Sequence, residues 1–573
     1  MAIMSRYDSE RAETTAKAVM LAHSVMQNGG LPLTTAMTAL AMHGGMYSML
    51  NRDMLTARLT PMAAALTAAG HAPAGSIASL VSLLQSKVEN YFIHLVPNKP
   101  YKVHSNLVSH IAFPGEGVTY TPKSEETNNP SGGDSINLPA AFTFVGQFID
   151  HDLTANALDL FVPQTGLVVD EASPLIDLDS VYGPRVKTPP SQRLDLKSIY
   201  DSKDRFYLQT YPDGTIDVPR DPCGTALLPD KRNDENQMVN QVHQLLMRLH
   251  NKFINQGFDF EKAHRETVFT WQSIVLNDYL PKIVDANLIE LKKQAIKAKD
   301  HGKLRHYPKP NPVTGRIGVQ MPHEFAIGFR FGHSQLRPSY AVSEGNVIPL
   351  FNNMLPLGAT YGDLRGGQAL QKTHVIDWHF FLGGNGDPPN AVKSKLIDTK
   401  VTSVVFDLPE STIPDDLKSV GNLPQRNLVR SDDLGLCAGE DLARLYDVTP
   451  LTPEEVEPRA EMRALFEQDG GTFRTPLWYY VLREAELKGQ DGKLGDAGGS
   501  LVAEVILGGI YYNDPALVLP DDWKSDVNGT GVVTLYELTQ FVTGPANDAK
   551  VMSDPFVPPK DCLMPDPVTL TQK

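Results

Sequence analysis

Hydrophobic residues recur every three to four positions through long stretches of this chain, which is the pattern of amphipathic helices. The clearest stretches after residue 138 run from Met238 to Gln256, from Lys262 to Leu280 and from Leu535 to Val542. Alternation of apolar and polar residues, the pattern of half-buried strands, is scarce. The sequence therefore predicts a mainly α fold with little β structure.

The first and last parts of the chain differ from this helical middle. Residues 1–95 have helical periodicity, and ten of the 17 methionines lie between Met1 and Met62. Because Met packs adaptably, we expect two or three helices that cover the main body. The alternative is an apolar partner surface, or a set of methionines that absorbs oxidant.

Proline, glycine, asparagine and serine are frequent in residues 96–138, which predicts a long loop. After about residue 545 the chain is rich in Pro and Asp, which predicts irregular structure. We therefore expect an N-terminal helical arm and loop over 1–115, one large helical domain over 116–545, and an irregular tail over 546–573.

The charge balance limits the possible partners. The 573 residues carry a formal net charge of -15, which disfavours nucleic acid because phosphate contacts need a basic surface. No run of about 20 apolar residues predicts a transmembrane helix, and the N-terminus lacks the basic-then-apolar order of a signal peptide. Cys223, Cys437 and Cys562 are too scattered for a disulfide framework. We expect a cytoplasmic protein, or one secreted without a recognisable signal peptide.

One apolar run, Phe144–Leu153, contains a histidine between two carboxylates. Burying Asp150, His151 and Asp152 together is costly unless each has a partner or a metal. In a helix, Gln147 and His151 lie four residues apart on one face, with Asp150 beside them. The carboxylate of Asp152 then points elsewhere and is available for another task.

Four further segments carry candidate chemistry. In Arg232-Asn233-Asp234-Glu235, one helical turn places a permanently charged guanidinium and a carboxylate on one face. The second, Phe329-Arg330-Phe331-Gly332-His333-Ser334, has a histidine directly after a glycine. The third, Asn427-Leu428-Val429-Arg430-Ser431, has an asparagine three residues before an arginine. The fourth, Ser173–Gly183, offers the oxygen donors that calcium prefers.

In their order and spacing these five segments resemble the animal-type haem peroxidase (peroxidase–cyclooxygenase) superfamily, in a bacterial-like form. The resemblance covers roughly residues 140–435 and continues more weakly to about residue 545. Each motif alone is only a hypothesis, but five in the family's order are hard to obtain by chance. The resemblance implies one large catalytic domain whose helices pack around a buried haem b.

The resemblance also implies roles around the haem. His151 would act as base and then acid, Arg232 would stabilise the negative charge on the departing oxygen, and Gln147 would order water or a halide. On the other side His333 would ligate the iron, and Asn427 would accept its second ring N–H.

Other cofactor contacts are implied by the same resemblance. Arg430 would pair with a haem propionate, and Arg330 would line the cofactor pocket. Asp150 and Glu235 occupy the positions at which family members form ester links to haem methyl groups, so two links are expected. Asn236 stands where one member has a methionine–haem bond, so that bond is not expected.

A calcium ion is the second implied cofactor. The side chains of Ser173, Asp177 and Asp179, the carbonyl of Leu175 and the carboxylate of Asp152 would hold it. The family more often has Thr at the first of these positions and Ser at the third. The chain also departs from the family's Arg-Asp-His-Gly pattern at residues 432–435.

The implied activity is a haem peroxidase that reduces hydrogen peroxide through an oxoferryl intermediate. Its donors would be bromide, iodide, thiocyanate or phenolic compounds, and neither the donor nor the oligomeric state can be named from the sequence. One alternative is a fatty-acid dioxygenase on the same fold, although Arg330 stands where those enzymes have a radical-forming tyrosine. The other is a non-catalytic haem- or calcium-binding interaction protein.

Two further predictions concern residues outside these motifs. Residues 526–537 fit the spacing of an EF-hand calcium loop, but the flanking sequence favours a turn that caps the helix beginning at Leu535. His243, His250 and His323 are expected to be structural.

Overall fold

The computed structural model describes most of the chain between residues 92 and 543. The segments outside the description are 1–91, 98, 113–133, 155–172, 184–198, 202, 221–223, 311–316, 353–361, 384–391, 410–411, 413–420, 469–470 and 544–573. The predicted Met-rich helices, the C-terminal tail, Cys223 and Cys562 therefore lie outside the described residues, and the proposed domain boundaries stay predictions.

Helices dominate the described residues, as predicted. The α-helices are α1 (Ser105–Ala112), α2 (Ala141–Leu153), α3 (Asp179–Tyr182), α4 (Gln237–Asn255), α5 (Phe260–Ile274), α6 (Leu280–Ile283), α7 (Ala286–Lys297), α8 (His323–Gly328), α9 (Trp378–Leu382), α10 (Leu423–Asp433), α11 (Gly439–Leu445), α12 (Pro453–Val456), α13 (Leu477–Lys488), α14 (Asp496–Tyr511) and α15 (Leu535–Thr543). Short 3-10 turns include Lys231–Asp234 and Phe329–Gln335.

Strands in the described residues form only two-stranded pairs. They are β1 (Phe92–Ile93), β2 (Asp134–Pro139), β3 (Gln209–Thr210), β4 (Ile216–Asp217), β5 (Lys309–Pro310), β6 (Ile317–Gly318), β7 (Met321–Pro322), β8 (Ser339–Ser343), β9 (Asn346–Pro349), β10 (Lys393–Lys395), β11 (Glu467–Gln468) and β12 (Thr472–Phe473). The pair β1–β7 is parallel, whereas β2–β10, β3–β4, β5–β6, β8–β9 and β11–β12 are antiparallel.

Helix α14 lies in the centre of the core, and its residues from Ala497 to Ile510 are all buried. A helix that is buried on every side must be covered by other elements, and α7, α8 and α13 pack against it. The carboxylate of Glu484 accepts the N–H groups of Ala497 and Gly498 at 3.0 and 2.9 Å. It thereby satisfies two backbone donors that the first turn of α14 leaves unpaired.

The central helix also contacts the helix that carries the predicted catalytic motif. A Cβ added at Gly509 would lie 2.9 Å from Leu153, the last residue of α2. The carbonyl of Gly509 accepts the N–H of Ile176 at 2.9 Å. A glycine here lets α14 approach both α2 and the predicted calcium loop closely.

The predicted long loop over 96–138 is wrong in part, because α1 and β2 lie within it. Leu107, Val108 and Ile111 form the buried face of α1, which packs against α10. This apolar face is short and surrounded by turn-forming residues, so the composition of the segment predicted a loop instead of a helix.

The predicted helix from Lys262 to Leu280 is interrupted at its end. After α5 the residues Val275–Tyr279 form a π-helical turn, and α6 then follows. A π turn widens the helix and redirects side chains, and such turns are frequent at functional sites. Here Tyr279 faces the cavity described below.

Two observations concern the remaining helices. Within the described residues, none is both long and apolar enough to span a lipid bilayer. At the start of α15 the Thr534 hydroxyl and the Glu537 carboxylate cap each other's backbone N–H groups, as the favoured interpretation of residues 526–537 expects.

Candidate active site

A partly open cavity of about 540 Å³ lies between residues of α2 and residues of the 3-10 turn Phe329–Gln335. Its lining includes eight of the predicted haem-pocket residues, which come from four separate parts of the chain: Gln147, Asp150, His151, Arg232, Glu235, Arg330, His333 and Arg430. The fold therefore brings together the residues that the sequence motifs selected.

The protonation of His151 is determined by a residue that the sequence analysis did not assign. Nδ2 of Asn233 donates to the carbonyl of Ser180 at 3.3 Å, and a carbonyl can only accept. Oδ1 of Asn233 therefore faces Nδ1 of His151 at 2.8 Å and accepts its proton. In this neutral tautomer Nε2 of His151 keeps its lone pair, as a general base requires.

Burial keeps His151 neutral. Desolvation, with a smaller contribution from the positive charge of Arg232, lowers the pKa of His151 from 6.5 to about 4. The structural role of His243 stays a prediction; it is buried, and Nδ2 of Asn233 also lies 3.0 Å from its Nδ1. It therefore belongs to the network that holds the Asn233 amide.

Arg232 is held firmly beside the cavity. Its Nε and Nη2 donate to the carboxylate of Asp230, the closest contact being 2.6 Å, and Nη2 also donates to the carbonyl of His151 at 2.9 Å. Nη1 donates to the hydroxyl of Thr154 at 3.1 Å. Arg232 thus anchors the C-terminal end of α2, while the charge-stabilising role that the sequence predicted for it stays a prediction.

A second buried ion pair holds the same 3-10 turn. The guanidinium of Arg220 donates to both oxygens of Asp234 at 2.7 and 2.8 Å, and to Asp217 at 2.8 Å. On the other side of the turn Gly366 donates its N–H to the carbonyl of Glu235 at 3.0 Å. A Cβ on Gly366 would lie 1.6 Å from the carbonyl oxygen of Asp234, so this close approach requires glycine.

Three polar side chains form a chain of hydrogen bonds at the cavity wall. Nδ2 of Asn236 donates to Oε1 of Gln147 at 2.8 Å, and Nε2 of Gln147 donates to Oε2 of Glu235 at 3.2 Å. The same Glu235 oxygen lies 3.9 Å from Nε2 of His151. Desolvation raises the pKa of Glu235, although its side chain is 47% exposed where it lines the cavity.

Asp150 presents a buried oxygen to this region. Among the described residues its Oδ1 atom has no hydrogen-bond partner. Burial raises the pKa of Asp150, while Arg330 and Arg232 oppose that rise. A buried polar atom without a partner is costly and points to a group that the structure does not contain.

On the opposite wall His333 contacts Asn427, but with the reverse polarity to the prediction. Nδ2 of Asn427 donates to Nδ1 of His333 at 2.8 Å, whereas the sequence analysis expected the asparagine to accept. The reason is Arg330, whose Nη1 can only donate and faces Oδ1 of Asn427 at 3.4 Å. Burial lowers the pKa of His333 to about 3, so the imidazole is neutral.

The proximal side of the cavity is also cationic. Arg330, Arg426 and Arg430 all line it, and desolvation lowers the pKa of Arg330 to about 10. The peptide carbonyl of Arg330 accepts the indole N–H of Trp478 at 3.1 Å, which fixes the backbone beside His333. These half-buried arginines favour anionic groups in the cavity.

The predicted calcium residues gather at the end of α2. Asp152 accepts the N–H of Leu178 at 3.1 Å and that of Ser180 at 3.4 Å. The hydroxyl of Ser173 donates to Asp177 at 2.7 Å, and its N–H donates to Asp179 at 2.7 Å.

Burial and the nearby carboxylate of Asp177 raise the pKa of Asp152. Leu178 has a φ of 65°, a left-handed conformation that strains a leucine. Across the described residues, however, no three His, Cys, Asp or Glu side chains are grouped so that they could hold one metal ion. The calcium site therefore stays a prediction.

Comparison with known proteins agrees with this site. A family model described as animal haem peroxidase matches residues 163–436. The match covers just under half of the chain, so this segment is similar to the animal haem peroxidase family. The matched segment includes Arg232, His333 and Asn427 and begins after the helix that carries His151.

Two individual proteins are also similar to the chain. It is 22% identical over 357 residues to heme peroxidase 2 of Caenorhabditis elegans, a match that covers 55% of this chain and 46% of that protein. The chain thus spans about half the length of this curated relative. Peroxidase A from Dictyostelium discoideum is 16% identical, with a TM-score of 0.47, and the match covers 81% of this chain and 94% of that one.

The similarity to animal haem peroxidases points to haem as the cofactor, and the cavity residues fit one. Neutral His333 can ligate iron, the arginines match propionate charge, and Asp150 has an oxygen without a described partner. The sequence analysis missed Asn233 and Asp230, which act through His151 and Arg232. Their only signal was their position in and just before the Arg232–Glu235 motif.

Proposed function

We propose that this protein is a peroxidase that reduces hydrogen peroxide and oxidises small donors: bromide, iodide, thiocyanate or phenolic compounds. The observation that carries the proposal is the pair of neutral histidines on opposite walls of one cavity. His151 has its Nε2 lone pair left free by the hydrogen bond at Nδ1, and His333 is contacted at Nδ1 by Asn427.

His333 would hold the iron through Nε2. When bound, haem supplies an iron that takes up the two oxidising equivalents of hydrogen peroxide. Ligation requires the proton of His333 to be on Nδ1, so the amide of Asn427 would turn and accept it through Oδ1. A 3.4 Å contact with Arg330 opposes that rotation, and Arg330 and Arg430 would meet the propionates.

On the distal side His151 moves the proton. The Nε2 atom of His151 would accept a proton from one oxygen of hydrogen peroxide. It would then return this proton to the other oxygen, which departs as water. The Asn233 contact holds the ring in position for both transfers. Arg232 supplies positive charge near the departing oxygen, tempered by its pairing with Asp230.

Asp150 and Glu235 would form ester links to the haem. The Oδ1 atom of Asp150 without a described partner and the cavity-facing carboxylate of Glu235 support this proposal. Asn236 offers no sulfur, so a methionine–haem bond is not proposed.

The test is to express the protein with ample haem, record its absorption spectrum and extract it with acidified acetone. A Soret band that stays with the protein after exposure to peroxide is expected, together with reduction of peroxide in the presence of bromide. The Asp150→Asn/Glu235→Gln double variant should release its haem while the matched His374→Gln variant, altered at a buried histidine outside the pocket lining, should not.

Other outcomes separate the alternatives. Freely extracted haem from an active enzyme would remove the ester proposal alone. Oxygen uptake with linoleate, without added peroxide, would replace peroxidase activity by a fatty-acid dioxygenase. Protein that takes up no haem would leave a non-catalytic interaction protein.

We also propose that calcium binds the loop from Ser173 to Asp179 together with Asp152. Three buried carboxylates in one small region support the proposal, because like charges buried together need a proton or a cation. The carboxylates would converge on the ion when it binds, together with the carbonyl of Leu175. Calcium would then join this loop to the catalytic helix.

A further inference from the structure

We propose that Asn236 is a positioning residue that fixes the side-chain amide of Gln147. In this orientation an N–H group, and not the carbonyl oxygen, faces the halide or thiocyanate ion that the enzyme would oxidise. The inference rests on the proposed function, since it makes Gln147 a recognition group for halide or thiocyanate. Asn236 is buried and opens α4, so it belongs to the cavity wall and to the helix start at once.

The orientation of the Asn236 amide is set by a backbone N–H group, which can donate a hydrogen bond but cannot accept one. The N–H of Val239 donates to Oδ1 of Asn236 at 2.9 Å, the usual N-cap hydrogen bond. Because a peptide N–H can only donate, the oxygen of Asn236 must face the helix. Its Nδ2 then points away and donates to Oε1 of Gln147 at 2.8 Å.

Glu235, at the other end of this series of hydrogen bonds, imposes the same orientation on the Gln147 amide. Glu235 accepts when ionised, and its Oε2 lies 3.2 Å from Nε2 of Gln147. If Glu235 forms an ester, the ester carbonyl still accepts. Both neighbours therefore select one of the two possible orientations of the Gln147 amide.

This orientation leaves one N–H group of Gln147 available to a ligand in the cavity. Nε2 of Gln147 and Nε2 of His151 lie 3.2 and 3.9 Å from the same oxygen of Glu235, and both residues line the cavity. A primary amide carries two N–H groups, and only one donates to Glu235. The second can donate to an anion beside His151, where a carbonyl oxygen would repel it.

The experiment separates this role from helix capping. Asn236→Ser keeps a good cap and adds no charge, but serine is too short to reach Gln147. Gln147→Met keeps the chain length and removes the amide. We would titrate thiocyanate and bromide into the ferric holoprotein, following the Soret band and, in parallel, the heat of binding by calorimetry.

Asn236→Ser should raise the thiocyanate Kd by about tenfold, the scale of one lost hydrogen bond. The rate of reaction with peroxide should change by less than about threefold, because Asn233 and not Asn236 holds His151. In the Gln147→Met background Asn236→Ser should have no further effect, as expected of a residue that acts through Gln147.

An unchanged Kd in Asn236→Ser would overturn the inference. So would an equal loss in the Gln147→Met background, or a wild-type protein that binds neither anion. Failure of the proposed function would appear separately, as absence of haem or of reaction with peroxide, while calorimetry still measures anion binding to the protein.

Discussion

His151 keeps a lone pair on Nε2 because Asn233 accepts its Nδ1 proton, and Asn233 can do so because Ser180 offers only a carbonyl. The same logic orients Gln147 from the backbone N–H of Val239. At the residue scale, groups that can only donate or only accept thus set the polarity of the groups that can do both.

A prediction about pH follows from the lowered pKa of His151. The base is active when neutral, so the rate of reaction with peroxide should hold as pH falls through 6.5 and decline with a midpoint near pH 4. Stopped-flow measurement of this rate across pH tests it. A midpoint near 6.5 would contradict the burial argument.

Asn233→Asp provides the matched control. The aspartate still accepts the Nδ1 proton, but its charge favours the imidazolium and should raise the midpoint by at least about one pH unit. Asn233→Leu, which leaves the tautomer unfixed, should slow the reaction on the order of 100-fold at neutral pH.

The turn Lys231–Asp234 is the element on which the distal wall depends. Two buried arginines hold it, Arg232 through Asp230 and Arg220 through Asp234. The backbone of Gly366 packs directly against this turn, next to the carbonyl group of Asp234. Because a buried ion pair that loses one partner leaves an uncompensated charge, this turn has little tolerance for change.

Gly366→Ala should therefore destabilise the protein and impair haem retention. The new Cβ would lie 1.6 Å from a backbone oxygen that cannot rotate away, so the loss should reach or exceed the upper end of the roughly 1–3 kcal/mol range for overpacking. Chemical unfolding measures it.

The control for this prediction is Gly318→Ala. No atom lies within 4 Å of a Cβ at this exposed position, and its backbone is not left-handed. Its unfolding free energy should match that of the wild type. Equal stability of the two variants would show that the turn can move.

At the scale of the whole molecule, the predicted calcium loop joins distant parts of the chain. Ile176 donates to Gly509 of the central helix at 2.9 Å, and its carbonyl accepts Nε2 of Gln272 at 2.7 Å. Asp152 connects the loop to the catalytic helix. An ion bound there would stabilise the association of all three.

Calcium should raise the unfolding free energy by mass action. After treatment with a chelator, adding calcium to about 100 times its Kd should contribute about 2.7 kcal/mol, measured by chemical unfolding. Asp177→Asn should lose this dependence, whereas Asp300→Asn, at a surface ion pair, should keep it. A full calcium effect in Asp177→Asn would move the site elsewhere, with residues 526–537 the next place to test.

Much of the fold and site could be predicted locally. Helical periodicity gave α4 to within a residue at each end, and the motifs selected the cavity residues, because those features depend on near neighbours in sequence. The π turn before α6 and helix α1 were missed, because packing against distant elements decides them. Asn233 was missed because its role depends on His151, 82 residues away. Asp230 was missed although its partner Arg232 is only two residues away, because the sequence does not show that both side chains are buried together.

The sequence by itself determined the family resemblance, the mainly α class and the identity of the groups beside the cavity. Side-chain chemistry is a property of each residue, and motif spacing is a property of the chain. Only the tertiary structure decided which groups meet, how the amides of Asn233, Gln147 and Asn427 are oriented, and how far burial lowers the pKa of His151. Hydrogen-bond direction and desolvation depend on contacts that exist only after the chain has folded.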